Sequence, residues 1–505
     1  MKKIIFFIGL AFLVTIVVFN IFLTANLGSA ERVVFSLNSF FYIIGLALVG
    51  LGLFFISNLL NKYLYAENTP FKKHIRKVLL TSVCAIYIAF TILWTLTIKP
   101  TVGADQICVG NLAQVFYNSA NEHLLSKNTY VNIPISEYIQ GYQHQIPLAF
   151  LFSLLFKLIH FDNIEFLKVF NIISIFLIVF AIFKISHQLA KKYVTNKVLL
   201  CILILTFLPL PMLSTFIYGD FPSLAFCLLC VYFMMKYVET KKLKFCLLAS
   251  FCSMIGYLAR MNALIFVIAT TMYLLFDLLN KETFKRTWKE NLLKFSMIVI
   301  YIAITILPST MVKNYYLNKY DLDKSKAYPN ISYFLMAMEQ SYRASGWYNE
   351  SIGEYALKHP EAAKEEYKIT LKERVNYLIG HPLYTAFFYG SKISSMWTEN
   401  TYSSIWSNNP SLLQSYTKPL IFYQKVLLLM ICLCSIVVLM QNRKNLSLEV
   451  LFLLTIFIGG FAFHILWEAK SRYIIPYIIV LIPLASIAVK GKFLNFNITK
   501  KQKEI

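Results

Sequence analysis

Charged residues are scarce in this chain of 505 residues, where Asp, Glu, Lys and Arg together make up 14%. Soluble globular domains carry about a quarter. Apolar residues account for 58% of the chain, and its mean hydropathy is +0.61. A chain with so little charge is expected to be soluble only in a lipid bilayer.

Acidic residues are the scarcer of the two charged classes, with 25 Asp and Glu against 48 Lys and Arg, for a net charge of +23. Such an excess could suggest nucleic-acid binding, but the basic residues form short clusters between apolar runs. That arrangement is the positive-inside pattern of membrane proteins. The expected partner of these clusters is anionic membrane lipid, and nucleic acid is excluded as a partner.

Histidines do not accompany the paired cysteines, so no zinc site is expected at Cys227/Cys230 or Cys432/Cys434. The first apolar run begins with Lys2 and Lys3 and has no convincing small-residue cleavage site. A second apolar run follows it, which predicts a retained signal anchor.

What the chain does have is thirteen long apolar runs, which are continuous rather than alternating and therefore predict helices. The sequence thus predicts an all-α polytopic membrane protein with about 12–13 transmembrane helices and two long outer loops. The candidate spans are 3–24, 37–59, 77–98, 146–160, 165–186, 197–214, 221–238, 243–259, 261–280, 291–312, 420–440, 447–467 and 472–490.

Topology follows from the basic gaps, which should be cytoplasmic: 60–77, 184–197, 236–244, 281–294, 441–444 and the tail 490–505. The run 146–160 is short and contains Pro147, so parity predicts 12 full crossings plus one short membrane helix. Thirteen crossings with the tail outside is the alternative. The expected units are 1–98 (first helices), 99–145 (first outer loop), 146–312 (central bundle), 313–419 (large outer loop) and 420–505 (last helices and basic tail).

The two long outer segments are expected to carry the function, because loops longer than about 15 residues are usually functional or disordered. Segment 313–419 is rich in Tyr and Trp, which favours order. Its apolar spacing predicts helices over 333–342, 350–358, 360–379 and 382–397.

Asp105 stands a few residues beyond the outer end of the third span. A carboxylate at this depth can accept the proton of a hydroxyl that attacks a lipid-carried substrate. The structural alternative is an N-cap for the following helix, where Asp is favoured. Both interpretations are open from the residues alone.

Asp220 is the acid of a short outer loop, between Gly219 and Pro222. It suits an N-cap position, and it could equally be a second catalytic carboxylate beside Asp105. Arg260 interrupts an apolar stretch, where an ionisable residue is a functional candidate. Its planar fork suits phosphate oxygens, whereas the structural alternative is an arginine that snorkels to the interface.

Lys470 and Arg472 stand at the predicted outer interface, against the positive-inside trend, which indicates an anionic partner such as a lipid phosphate. Glu468, four residues before Arg472, could pair with it on one helix face. His144 and Gln145, at the start of the short membrane helix, are weaker candidates for binding a sugar or phosphate.

Several motifs in this order resemble bacterial membrane glycosyltransferases of the GT-C fold, especially the protein-mannosyltransferase-like family 39 group of low-GC Gram-positive bacteria. They are an acid after an early span, a Tyr/His/Gln/Pro stretch before a short helix, Gly219-Asp-Phe-Pro222, a Trp/Tyr-rich outer loop with Gly346-Trp-Tyr-Asn349, and Trp467-Glu-Ala-Lys-Ser-Arg-Tyr473. Two additional spans, 3–24 and 37–59, precede the part that matches. Many members carry an acidic pair in the first loop, whereas this chain has Asp105-Gln106.

The resemblance implies an enzyme of the cell membrane that transfers a sugar from a polyprenyl-phosphate donor on the outer face. It implies Asp105 and Asp220 as catalytic carboxylates. It also implies that Arg260, Lys470 and Arg472 bind the donor phosphate. His144, Gln145, Trp347 and Glu468 are the further candidates for binding substrate. No cofactor is required by this chemistry, although a divalent metal is compatible with it. The acceptor is expected to be a cell-envelope glycopolymer or protein.

Two other functions fit the span number and the intramembrane charges. One is a polytopic transporter or lipid flippase, which would be expected to show inverted repeats. The other is a Wzy-like polysaccharide polymerase with a large outer loop. The polar groups gather at the outer ends of the spans, which favours surface chemistry over alternating access.

Overall fold

Helices dominate the computed structural model, which describes residues 2–100, 103–128, 133–279, 288–408 and 410–489. The α-helices and strands are α1 Lys2–Phe22, β1 Leu23–Leu27, β2 Val33–Leu37, α2 Phe40–Tyr65, α3 Pro70–Thr97, α4 Ala104–Tyr117, α5 Ile135–Gly141, α6 Ile146–Ile159, α7 Leu167–Leu189, α8 Lys197–Leu205, α9 Pro209–Met212, α10 Asp220–Thr240, α11 Leu243–Ala259, α12 Leu264–Leu278, α13 Trp288–Lys319, α14 Asn330–Met338, α15 Glu350–Lys358, α16 Pro360–Gly380, α17 Pro382–Trp397, α18 Ser404–Asn408, α19 Pro410–Gln441, α20 Leu448–Leu466 and α21 Ile475–Ala485.

Within these described ranges, ten helices are long and apolar enough to cross a membrane. Shorter apolar helices cover Gln143–Ile159, Leu243–Ala259 and Ser471–Ala485. The predicted all-α polytopic architecture is confirmed, and each predicted apolar run corresponds to one of these helices. The predicted basic tail 490–505 lies outside the described residues, as does the first part of the basic gap 281–294.

The main core is formed by helices that are apolar on most faces. Helix α10 packs against α7 and α11, and α1 packs against α19 and α20. Helix α21 is buried along its whole length between α19 and α20. A helix that is hydrophobic all round is expected in such an enclosed position.

The two ends of the bundle differ in their ion pairs. At one end, called the basic end, Lys241 and Lys294 both contact Asp277, and Lys192 contacts Glu449 at 2.9 Å. These lysines come from gaps predicted to be cytoplasmic. The opposite end, called the site end, is where α11 ends at Ala259 and α10 begins at Asp220.

The described parts of the two predicted outer segments lie at the site end. Helix α4 packs against α6, and Phe116 of α4 stacks on Tyr316 near the end of α13, with ring centroids 3.6 Å apart. Helices α14, α15 and α16 share a small apolar cluster of their own. Helix α17 packs back against α1 and α20. Helix α13 continues to Lys319 and α19 begins at Pro410, so these two helices extend into the predicted segment 313–419 from both sides.

Candidate functional site

Asp105 lies in the first turn of α4, and its N-cap is Gly103. The N-cap interpretation of Asp105 is therefore wrong, because the carboxylate does not occupy the cap position. Tyr138 donates a hydrogen bond to Oδ1 of Asp105, and Gln145 Nε2 donates to Tyr138 Oη at 3.2 Å. A short polar chain thus holds the carboxylate from the side of α5 and α6.

The charge environment of Asp105 is mixed. The residue keeps exposed surface although protein surrounds it. Desolvation raises the pKa of its carboxyl group, and the nearby cations Arg472, Lys470 and Arg260 oppose that rise. All three predicted phosphate-binding cations are therefore close enough to act on Asp105.

Asp220 is the first residue of α10, with Gly219 as the N-cap, so its N-cap interpretation is also wrong. Its Oδ1 lies 2.5 Å from Arg260 Nη1, and its Oδ2 lies 3.5 Å from Arg472 Nε. The carboxylate thus bridges two arginines from separate parts of the chain. At a helix N-terminus, a negative charge is also favoured by the helix dipole.

Arg260 does not snorkel into water. It stands in extended backbone between α11 and α12, and its side chain is 16% exposed. The guanidinium lies over the rings of Tyr218 and Tyr473, at 5.0 and 5.2 Å from their centroids. These cation–π contacts and the pairing with Asp220 fix its orientation.

Arg472 lies in the 3-10 turn Ser471–Ile474, with its guanidinium carbon 3.8 Å above the centroid of the Phe216 ring. The predicted pairing of Glu468 with Arg472 on one helix face is wrong, because α20 ends at Leu466 and no helix joins the two residues. Lys470 contacts the carboxylate of Glu31, and its Nζ lies 5.4 Å from the centroid of the Trp406 ring.

A groove that is partly open to solvent lies beside the two arginines. Arg260, Arg472 and Asp220 form its polar end. Its other walls are largely apolar side chains, including those of Leu213, Phe221, Leu224, Phe266 and Ile475. A charged end joined to an apolar trough matches an amphipathic ligand with an anionic head.

The remaining predicted residues lie at different distances from this groove. The charges of Asp105 and Lys470 both act on Glu468. Burial raises the pKa of the Glu468 carboxyl group to about 7. His144 is exposed, with its ring in edge contact with Tyr142. Trp347 does not line the groove, because it is 1% exposed and donates its indole N–H to Ser395 at 2.8 Å.

Sequence reasoning missed two contributors, Tyr138 and Glu31. Tyr138 is the fourth residue of α5, and its hydroxyl group binds Asp105. A tyrosine in an amphipathic stretch does not stand out in the sequence as a functional residue. Glu31 lies between two spans that precede the resembling part of the chain. A lone acid in a short outer gap could have been noted by the same argument that selected Asp220.

Ten of the fifteen residues that line the groove come from a segment that matches a known family. Residues 143–307 match the family of dolichyl-phosphate-mannose-protein mannosyltransferases. This mannosyltransferase segment is about a third of the chain and includes Asp220 and Arg260, whereas Asp105, Lys470 and Arg472 lie outside it. The match confirms the predicted resemblance to membrane glycosyltransferases of the GT-C fold.

Solved structures similar to this chain include the oligosaccharyltransferase of Archaeoglobus fulgidus. Its apo form is 13% identical, with a TM-score of 0.41, and the match covers 80% of this chain and 50% of that one. The same enzyme, AglB, in complex with an inhibitory peptide and a dolichol-phosphate gives 14% identity, a TM-score of 0.42 and coverage of 81% and 50%. The chain thus spans about half the length of these structures. No curated protein matches the chain.

Side chains that could bind a metal ion are not clustered in the part of the chain that the structure describes. No group of three or more His, Cys, Asp or Glu side chains is gathered there. Asp220 lines the groove and lies between the two arginines, whereas Asp105 accepts a hydrogen bond from Tyr138.

Proposed function

We propose that this protein is a multi-pass membrane glycosyltransferase that moves a sugar from a polyprenyl-phosphate donor to a cell-envelope acceptor on the outer face. The observation that carries the proposal is the groove, which joins Arg260 and Arg472 to an apolar trough. The charges of the same two arginines also act on Asp105. The polyprenyl chain would occupy the apolar walls. The phosphate would lie against the cations, because arginine forks match phosphate oxygens.

The chemistry follows from this placement. Asp105 accepts the proton of an acceptor hydroxyl as the hydroxyl oxygen attacks the anomeric carbon of the sugar. The bond between that carbon and the phosphate oxygen breaks, and polyprenyl phosphate leaves with one more negative charge. Arg260, Arg472 and Lys470 stabilise the charge as it develops. The proton on Asp105 then passes to solvent.

Asp220 is a positioning residue in this mechanism. Its two carboxylate oxygens lie against Arg260 and Arg472. Asp220 therefore keeps the two guanidinium groups separate and directed toward the groove. Desolvation raises the pKa of Asp105, which brings its basicity closer to that of a useful general base. Asp105 is therefore the general base of the proposed mechanism, whereas Asp220 positions the two arginines.

The proposed acceptor is a cell-envelope glycopolymer. Aromatic rings gather on the side of Asp105 that faces the large outer segment: Tyr142 stacks with Tyr328 at 5.2 Å, and Tyr333 stacks with Trp467 at 4.8 Å. Tyr142, Tyr333 and Trp467 remain half-buried, and the ring surface that they leave accessible offers flat apolar contact to a sugar ring. A protein acceptor would have less need of these aromatic rings.

Donor binding is tested by comparing Arg472→Gln with Lys326→Gln in the purified full-length protein, reconstituted in lipid nanodiscs with a polyprenyl-phosphate sugar. Loss of a charge-assisted contact at Arg472 should weaken donor affinity by about tenfold or more. Lys326 is an exposed cation of the same outer segment and serves as the matched control. Equal donor affinity in the two variants would contradict the assignment of the groove.

A further inference from the structure

A short hairpin between α1 and α2 reaches the site end from outside the mannosyltransferase segment. Strands β1 and β2 pair antiparallel, with Leu27 opposite Val33, and the turn between them carries Glu31. The side chain of Glu31 is only 3% exposed. A buried carboxylate at the tip of a hairpin is costly unless it is paired.

Both oxygens of Glu31 are paired with cations. Oε1 contacts Lys470 Nζ, and Oε2 lies 2.5 Å from Arg343 Nη1. Arg343 also contacts Glu350 at 3.0 Å, but the Glu350 side chain is 69% exposed. Glu31 is therefore a buried partner of Lys470, the cation that the proposed mechanism places at the donor phosphate.

The backbone at this turn is held in an uncommon conformation. Ala30 and Glu31 have φ values of 50° and 58°, in the left-handed region that is unfavourable for a residue with a Cβ. Two backbone hydrogen bonds fix the turn, from Gly28 N to Arg32 O at 2.8 Å and from Val33 N to Arg343 O at 2.9 Å. The second bond ties the hairpin to the large outer segment at the residue that Glu31 also binds.

We propose that Glu31 is a positioning residue for the donor phosphate, which acts by holding Lys470 beside Arg472. The inference rests on the proposed function. Lys470 and Arg472 are two residues apart and repel each other, so a fixed counter-charge is needed to keep both at one anion. The lysine ammonium has three N–H donors, and a contact with Glu31 leaves donors for a phosphate oxygen.

This role makes the first two helices part of the site rather than additional anchors. Lys425 of α19 reinforces the same hairpin, since its Nζ donates to Leu23 O and Thr24 Oγ1, each at 2.6 Å. The hairpin is thus fastened to α19 at its base and to Lys470 and Arg343 at its tip. Glu31 can then hold Lys470 without moving itself.

The test measures the dissociation constant of polyprenyl phosphate, without transfer, for the full chain in nanodiscs. Glu31→Gln should weaken binding about tenfold, the loss of one charge-assisted contact, and Glu31→Asp should fall between it and the unmodified protein. Glu350→Gln removes the exposed partner of Arg343 and is the matched control, with unchanged affinity expected.

A double-mutant cycle separates positioning from general loss of structure. In a Lys470→Gln background, Glu31→Gln should change affinity by no more than about twofold, because the two residues act through one contact. The same tenfold loss in both backgrounds, or unchanged or tighter binding in Glu31→Gln, would overturn the inference. An unmodified protein that binds no polyprenyl phosphate would instead contradict the proposed function.

Discussion

Two acidic residues at the site end, Asp220 and Glu31, form ion pairs with basic side chains. Asp220 lies between Arg260 and Arg472, and Glu31 lies beside Lys470. Asp105 differs, since its described partner is the neutral hydroxyl of Tyr138 and the cations act on it only from a distance. An acid that is not consumed by an ion pair is available for proton transfer.

The titration of Glu468 predicts a pH dependence of donor binding. Its pKa is raised to about 7 by burial, so the carboxyl group is protonated below that pH and charged above it. A phosphodiester donor keeps one charge throughout this range. Donor affinity should therefore fall as pH rises through about 7, as negative charge develops beside Lys470. Isothermal titration between pH 6 and 8 checks this, and Glu468→Gln should remove the slope.

Asp220→Asn should distinguish positioning from catalysis. The amide keeps the size of the side chain but leaves two largely buried arginines without their shared counter-charge. The melting temperature should fall and the donor KM should rise, while kcat changes less than tenfold. Glu361→Gln, at an exposed acid of α16, is the control. A fall in kcat of a hundredfold or more with unchanged KM would return Asp220 to a catalytic role.

At the scale of elements, the site depends on how closely helix ends approach one another. Gly219 and Ala259 precede Asp220 and Arg260, and a Cβ at Gly219 would lie 2.0 Å from the Ala259 carbonyl oxygen. Only a residue without a Cβ permits α10 to begin where α11 ends. The Asp220–Arg260 pair is a direct consequence of this contact.

Gly219→Ala should therefore disturb both stability and the site. The clash is with backbone, which cannot move without separating the ion pair, and overpacking of this kind costs about 1–3 kcal/mol. Thermal unfolding in detergent and donor affinity should both decrease. Gly52→Ala is the matched control, because a Cβ there would meet no atom within 4 Å and alanine is favoured in helices. Similar melting temperatures for the two variants would contradict the close approach.

The elements that the sequence predicted well are those whose ends are set locally. Helices α15 and α17 have the predicted bounds, because Asn349 and Pro382 mark their first turns and His359 and Thr398 follow their last. Helix α14 was predicted over 333–342 but ends at Met338. There, Lys392 of α17 binds the carbonyl of Ala337 at 2.8 Å together with those of Ile465 and Trp467.

The β-hairpin could not be predicted from local pattern. Its first strand continues the apolar run of α1, so the run reads as one long span. What separates them is a lysine of α19 that binds Leu23 O and Thr24 Oγ1. The site residues show the same contrast. Asp105, Asp220, Arg260 and Arg472 were visible in the sequence as charges near apolar runs, whereas the contacts of Tyr138 and Glu31 depend on partners that are distant in the sequence.

For the whole molecule, the two ends of the bundle have separate electrostatic characters. Lysines of the predicted cytoplasmic gaps meet Asp277 and Glu449 at the basic end. Asp105 and the groove lie at the opposite end, with α14, α15 and α16. This separation agrees with the proposed function, in which the lipid-linked donor and the acceptor would meet on the side of the groove.

The orientation is open to a labelling experiment in intact cells. Glu361→Cys on α16 should react with a membrane-impermeant maleimide, whereas Lys73→Cys on α3 should react only after permeabilisation; both positions are exposed. The native cysteines are all buried or half-buried, and labelling of the unmodified protein gives their background signal. Labelling in the reverse order would place the groove on the cytoplasmic side.

The central claim is that Asp105 is the general base of a lipid-phosphate-dependent sugar transfer. The direct measurement is the release of polyprenyl phosphate from a polyprenyl-phosphate sugar by purified protein, dependent on added cell-envelope polymer. Asp105→Asn should bind the donor normally and unfold at the same temperature, yet turn over about 10²–10⁴-fold more slowly. Near-normal turnover in this variant would remove Asp105 from the mechanism, and no release by the unmodified protein would favour a transporter.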